Sequence, residues 1–177
     1  MANVDTFRST LTGGGARPSQ FKVEMFWPAG IGASLADAPA FLVKAASLPA
    51  STVQSIEVPF RGRMTKVAGE RVFGNWNITV LNDTDFLIRR ELELWSSMVL
   101  NHTTTDGMTD PISYTASMFV SQLSRDDKVL RKYKMFNCWP TNISEIGLNF
   151  GDTNAIQEYQ VELSVDYWTL ADDGSIV

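Results

Sequence analysis

The chain holds one cysteine, Cys138, and one histidine, His102, among 177 residues. A lone thiol excludes an internal disulfide, and the two residues leave almost no material for a Cys/His metal site. As a nucleophile pair they lack a strained turn to present the sulfur, so a buried, inert cysteine is the simpler reading. No serine sits in a G-x-S-x-G elbow. Gly13–Gly14–Gly15 has no G-K-[ST] after it and no strand before it, which removes a phosphate loop. No apolar run approaches the roughly 20 residues that cross a bilayer. The first residues carry no apolar core of the signal-peptide kind, so the protein is expected to be made and used inside a cell, or assembled there. Positive charge is also short: the net charge is −5, which argues against stable wrapping of nucleic acid. It suits a surface that nucleic acid passes without sticking, because like charge keeps phosphates off the wall.

What is present is strand pattern. The length suits a single domain, 1–177, with a sizeable core. Phe21, Val23, Met25 and Trp27 alternate with Gln20, Lys22 and Glu24, the mark of a half-buried strand. Residues 29–47 read as a loop with a short strand near Phe41–Val43. Residues 52–81 read as a long hairpin with sides 52–60 and 71–81. Arg61, Arg63, Lys66 and Arg71 charge its outer part, Pro59, Gly62 and Gly69 punctuate it, and little apolar surface is expected there. On the second side Val72, Trp76, Ile78 and Val80 share one face, and Arg71, Asn75, Asn77 and Thr79 the other.

Residues 82–100 carry the one convincing helix, with Asn82 or Thr84 as cap and Asp83 and Asp85 where the helix dipole favours negative charge. Capping explains this D-x-D spacing more simply than a cation does. Ile88, Leu92, Trp95 and Val99 form its buried stripe, and Glu91 and Glu93 fall on different faces. Strands follow at 113–123, 128–138 and 141–149, with a turn at Ser124–Asp127. The last strand, 156–168, turns Tyr159, Val161, Leu163, Val165 and Tyr167 one way and Gln160, Glu162, Ser164 and Asp166 the other. Trp27, Trp76 and Trp95 read as core, while Trp139 and Trp168 are candidate interface anchors. Residues 1–19 form an arm, with Val4, Phe7 and Leu11 on one stripe. It is either a segment that orders on a neighbour or a frayed terminus. The acidic tail, in 169–177, is expected to be mobile in a free subunit. The sum is a mainly β protein: an antiparallel sandwich or open barrel with one packed helix and an extended hairpin.

Several blocks, in order, resemble the tail tube proteins of contractile-tailed bacteriophages. In the hairpin they are Leu48–Pro49, Val58–Arg63 (VPFRGR) and Lys66–Arg71 (KVAGER). Phe7–Arg8–Ser9 with Ala16–Val23 is similar to the family's opening, and Asn82–Arg89 to its helix start. Trp139–Ile146 and Tyr159–Leu163 with Tyr167–Trp168 match its closing segments. The resemblance implies a structural protein whose hexameric rings join strands edge to edge into one barrel. Rings stack into a tube inside a contractile sheath, bounded by baseplate and tail-terminator proteins, in a virion tail assembled in the host cytoplasm. DNA passes through transiently. No enzyme activity, cofactor, metal, stable nucleic-acid binding or small-molecule substrate is implied.

On that reading Phe7, Arg17, Arg61, Arg63, Lys66 and Arg71 are candidates for the subunit interface, with Asp126, Asp127, Asp172 and Asp173 as acidic partners. Asn75, Asn77, Thr79, Gln160, Glu162, Ser164 and Asp166 are candidates for a polar lumen wall. The alternative is the tube subunit of a related contractile injection or secretion particle that passes protein effectors. An enzyme on a β-sandwich is disfavoured by the scarcity of His and Cys, and a monomeric DNA-binding module by the acidic balance.

Overall fold

The computed structural model describes residues 3–11, 15–31 and 42–171. Expectations that fall on Gly13–Gly14, on Phe41 or on Asp172–Asp173 lie outside the described residues. Within them the chain runs α1 (Val4–Thr10), β1 (Phe21–Met25), β2 (Val43–Ala46), β3 (Ser51–Phe60), β4 (Arg63–Phe73) and β5 (Trp76–Leu81). It continues through α2 (Leu87–Val99), α3 (Pro111–Tyr114), β6 (Ala116–Leu123), β7 (Val129–Ile143), β8 (Glu158–Ser164) and β9 (Tyr167–Leu170).

Seven strands form one antiparallel sheet in the order β1-β6-β7-β8-β5-β2, with β9 also on β7. Strand alternation sends Val23, Met25, Met118, Val120, Met135, Ile78, Val80, Val161 and Leu163 to one face, where they make a single core. The sheet curls around that core and α2 covers it. Ile88, Leu92 and Trp95, at i, i+4 and i+7, are 1%, 0% and 0% exposed, which is the stripe expected from helical spacing. Val99 packs half-buried at its edge. Trp27 meets Trp95 edge to face at 5.6 Å, and Trp76 is buried in the same core.

The helix begins five residues later than the sequence reading placed it. Neither Asn82 nor Thr84 caps it: Phe86 holds the cap position in a left-handed conformation, φ 52°. Asp83 accepts the Leu87 N–H through Oδ1 at 3.0 Å, so an acid three residues before the cap replaces the local cap oxygen. Two further helices were not foreseen as such. α1 has no buried residue, and α3 is a single turn opened by Asp110, whose Oδ1 accepts from the Ile112 N–H.

Three strand boundaries also differ. The expected side 71–81 is two strands: β4 ends at Phe73, and β5 starts at Trp76 in the main sheet. Gly74 and Asn75 let the chain change sheets, so only β3 and β4 form the projecting hairpin. The expected strands 128–138 and 141–149 are one strand, β7, ending at Ile143, followed by a loop to 157. A left-handed residue, Asn137 at φ 53°, shifts the side-chain parity so that Met135 and Cys138 are both buried. The expected strand 156–168 is broken at Val165–Asp166, yet Trp139↔Ser164 and Phe136↔Tyr167 keep one register across the break. Tyr167, expected inward, lies exposed and stacks on Phe136 at 4.6 Å. The Ser124–Asp127 turn is present, with Asp127 at φ 55° and the Ser124 N–H donating to the Lys128 carbonyl.

On the outer face Glu24 of β1 meets Lys132 at 2.8 Å across β6, and its neighbour Lys22 at 3.0 Å. The Lys132 hydrogen bond, against partial burial, holds the Glu24 carboxyl below its ordinary value of 4.5. A carboxylate depressed in the folded state stabilises above its unfolded pKa, and loses that contribution as pH falls through the folded pKa. The stability difference between wild type and Glu24→Gln, measured by urea titration, is therefore expected to be constant above about pH 5.5 and to shrink below about pH 4.5. In the same assay Leu92→Ala is expected to cost about 2–5 kcal/mol, and Leu94→Ala, on the exposed side of α2, under about 0.5 kcal/mol.

Candidate functional site

The hairpin is built to project. Phe60 pairs with Arg63, and Arg61 and Gly62 between them both take positive φ, 46° and 81°. That is the two-residue turn whose twist matches paired strands, and Gly62 is the residue type it demands. Nearer the base the register slips between Val53 and Ser55. A Cβ on Gly69 would lie 3.0 Å from the Gln54 carbonyl oxygen, so the bulge requires the bare backbone there. At about 3.3 Å per residue the arm reaches roughly 30 Å. Its foot is anchored where Trp168 donates Nε1–H to the Ala50 carbonyl at 3.1 Å and meets Phe73 edge to face.

Every position of β3 and β4 is exposed except Ser51, Gly69 and Phe73. The arm is not poor in apolar surface, as the sequence reading held. Ile56, Val58, Phe60, Met64, Val67 and Val72 are all exposed upon it. The pairs Ile56↔Val67 and Glu57↔Lys66 show the two faces: one carries aliphatic side chains, the other an exposed ion pair at 3.5 Å. The proline and glycine punctuation drew attention from the alternation that runs straight through it.

The six candidate interface residues do not form one cluster. Arg61 stands at the turn with its guanidinium over the Phe60 ring at 5.5 Å, Arg63 opens β4, and Lys66 pairs with Glu57. Arg71 sits near the foot, 3.5 Å from Ser51 Oγ. Phe7 is exposed on α1. Arg17 belongs to the arm's return, where its carbonyl accepts from Gln122 Nε2 at 2.7 Å. Trp139 and Trp168, candidate anchors from sequence, are half-buried within the subunit, against Tyr114 and against Tyr133 and Phe73.

The polar candidates are better gathered. Asn77 lies opposite Glu162 and Thr79 opposite Gln160 on adjacent strands, and all four point away from the core. Asn75 donates Nδ2–H to Glu162 Oε1 at 2.9 Å from the link between β4 and β5. Ser164 faces the same side. Asp166 stands in the break before β9 and accepts from Asn137 Nδ2 at 2.8 Å. The surface so made is amide, hydroxyl and carboxylate. Lys44 beside it is neutralised by an ion pair with Glu158.

Cys138 and His102 are not brought together: the thiol is buried in the core and the imidazole is exposed. Burial pushes the Cys138 thiol up to about 12. A maleimide at pH 8 is expected to leave the native protein unlabelled and to label it fully in denaturant; rapid native labelling would show that the core opens locally.

Both ends of the main sheet are open among the described residues. β1 and β2 each pair on one side only, and so do both strands of the hairpin. A subunit with free borders and a solvent-bound apolar arm is an assembly protein, incomplete as a β-structure by itself. The family profile described as "Phage tail tube protein" matches residues 16–171, and the chain belongs to that family. It is 34% identical over 165 residues to "Tail tube protein gp19" of Enterobacteria phage T4, covering 93% of this chain and 97% of that one. The same figures hold for the Enterobacteria phage T6 protein of that name. Among solved structures it is similar to a chain of an extracellular contractile injection system sheath–tube complex, with TM-score 0.61 and 16% identity over 92% of this chain and 96% of that chain. A chain of the anti-feeding prophage baseplate gives TM-score 0.63 at 11% identity, over 90% and 97%. At those identities the likeness to solved structures is one of fold.

Proposed function

We propose that this tail tube protein is the repeating subunit of a phage tail's inner tube. Copies close into hexameric rings by edge-to-edge strand pairing, and rings stack into a channel for DNA inside a contractile sheath. Baseplate and tail-terminator proteins bound the two ends, and assembly takes place in the host cytoplasm. The observation that carries the reading is the open sheet, with free borders at β1 and β2 that pairing with further copies would satisfy. Membership of the phage tail tube family supports a tubular assembly of copies.

The lumen wall is assigned to the outward face of β5 and β8: Asn77, Thr79, Gln160, Glu162 and Ser164, with Asn75 and Asp166 at its margin. Its chemistry supports the assignment. Amides and hydroxyls stay hydrated, carboxylates repel phosphate, and the one lysine beside it is paired. Phe7, Arg17, Arg61, Arg63, Lys66 and Arg71 are assigned to contacts between subunits.

Negative-stain electron microscopy of the purified protein, alone and with tail ends as nucleating template, is expected to show rings or tubes. A dispersed small particle under both conditions would overturn the reading. Charge reversal in Arg61→Glu/Arg63→Glu is expected to lower the assembled fraction about tenfold while the monomer's circular dichroism and melting stay unchanged. Normal tubes from this variant across a range of salt concentrations would remove the arm from assembly.

A further inference from the structure

The main sheet has a second outer face, on β1, β6 and β7, whose chemistry is unlike that of β5 and β8. Val23, Met25, Met118, Val120 and Met135 point into the core. Lys22, Glu24 and Phe26 of β1, Phe119 of β6, and Lys132, Lys134 and Phe136 of β7 therefore point outward. The register sets them in rows. Glu24, Phe119, Lys134 and Thr169 are successive partners across β1, β6, β7 and β9, and Phe136 lies opposite Tyr167. Residues 128–134 hold four basic side chains and no acid, in a chain of net charge −5.

Glu24 is the one carboxylate in these rows, and it already serves both Lys22 and Lys132. Lys134 has no carboxylate partner among the described residues. Its Nζ rests 4.4 Å from the Phe136 ring centroid, and that of Lys132 4.6 Å from the Phe119 centroid. Both ammoniums are held on rings with N–H donors to spare. Beside Lys134 opens a cleft of about 520 Å³ walled by Phe26, Pro28, Ile112, Ala116 and Phe119. Phe26 and Ile112 are 53% and 85% exposed.

Lys132 and Lys134 are two residues apart on one strand, a separation of about 7 Å. Another extended chain presents its residues i and i+2 on one face at the same separation. Two acids so spaced meet both lysines, and residue i+4 of that face then reaches the cleft. We infer that this face docks an extended segment of a different protein with the pattern acid-x-acid-x-apolar. Its carboxylates meet Lys132 and Lys134, and its apolar side chain seats among Phe26, Ile112 and Phe119. Charge complementarity selects a protein segment of this kind, and two further observations narrow it. The chain's own copy of the pattern, Asp83-x-Asp85-x-Leu87, is not extended, because Phe86 is left-handed and Leu87 opens α2 against the core. A second copy therefore does not supply it. Nucleic acid needs open rings to stack upon, whereas Phe136 is covered by Tyr167 and Lys134, and Phe119 by Lys132 and the edge contact with Phe26.

Fluorescence anisotropy with a labelled SDTDTLS peptide tests the inference on the unassembled full-length subunit, so the result does not depend on whether tubes form. Saturable binding that weakens with rising salt is expected. Lys134→Glu is expected to lower the affinity at least about tenfold, and Lys134→Arg to keep it within about threefold. A peptide with serine in place of leucine is expected to bind about tenfold more weakly. Phe26→Ser, at an exposed side chain, is expected to show the same loss with melting unchanged, which separates a lost contact from a lost fold. No binding by wild type at about 1 mM peptide would overturn the inference, as would equal binding by wild type and Lys134→Glu. Displacement of the peptide by an oligothymidylate would make this a nucleic-acid surface and overturn it too. Affinity lost in Arg61→Glu/Arg63→Glu but kept in Lys134→Glu would put the peptide on the hairpin, with the same consequence.

Discussion

A β-strand has two hydrogen-bonding borders, and a sheet of finite width leaves two of them unmet. Everything distinctive about this subunit follows from how it handles that constraint. The core is conventional: one sheet and one amphipathic helix, with Trp27 against Trp95. Among the described residues β1, β2 and β9 each keep a bare edge, and a two-stranded arm stands in solvent with both edges bare. Proteins that stay monomeric blunt such edges with brevity and charge. Here β1 and β2 follow that rule, with five and four residues and a lysine in each, Lys22 and Lys44. The hairpin does not, since its strands run ten and eleven residues and carry aliphatic side chains. The short guarded edges suit pairing only with a matching edge held in place, whereas the long arm leaves apolar surface in water.

The relative strength of the forces follows from exposure. Arg61, Arg63 and Lys66 are solvent-accessible, and isolated exposed ion pairs contribute about 0–1 kcal/mol and weaken with salt. Burying side chains the size of phenylalanine or isoleucine contributes about 1.5–3 kcal/mol each. In any contact the arm makes, its apolar side chains would therefore contribute more affinity than its arginines, whose part would be orientation and exclusion of wrong partners. This ordering corrects the first impression left by the sequence, where four basic residues in a short stretch overshadow Ile56, Val58, Phe60 and Val67.

Much of the fold was legible because alternation and helical spacing are strong local signals. β1 shows a period of two with no interruption, as does β8, and the spacing of Ile88, Leu92 and Trp95 marks the stripe that the structure buries. The losses came where tertiary context overrides a local cue. The expected strands 128–138 and 141–149 are one, because β7 passes through Pro140. The expected side 71–81 is divided at Gly74, where the chain leaves the hairpin for the main sheet. Asn82 looked like a cap, but the carboxylate of Asp83 reaches the helix from outside. No periodicity marks the 144–157 loop, so the exposure of Leu148, Phe150 and Ile156 among the described residues was not legible in the sequence.

Charge ties these observations to transport. The net charge of −5 is unevenly distributed: the arm is basic, and the outward face of β5 and β8 carries Glu162 with amides and hydroxyls. If the basic residues were on that face, phosphates would bind along the whole channel, and each retained ion pair would slow passage. On the proposed tube reading, their place on the arm keeps them off the face of β5 and β8 assigned to the channel. A tube that must be rigid between subunits and slippery within needs opposite electrostatics on its two surfaces. A single strand's alternation supplies that separation, because residues one position apart in β5 and β8 face the core and the solvent in turn.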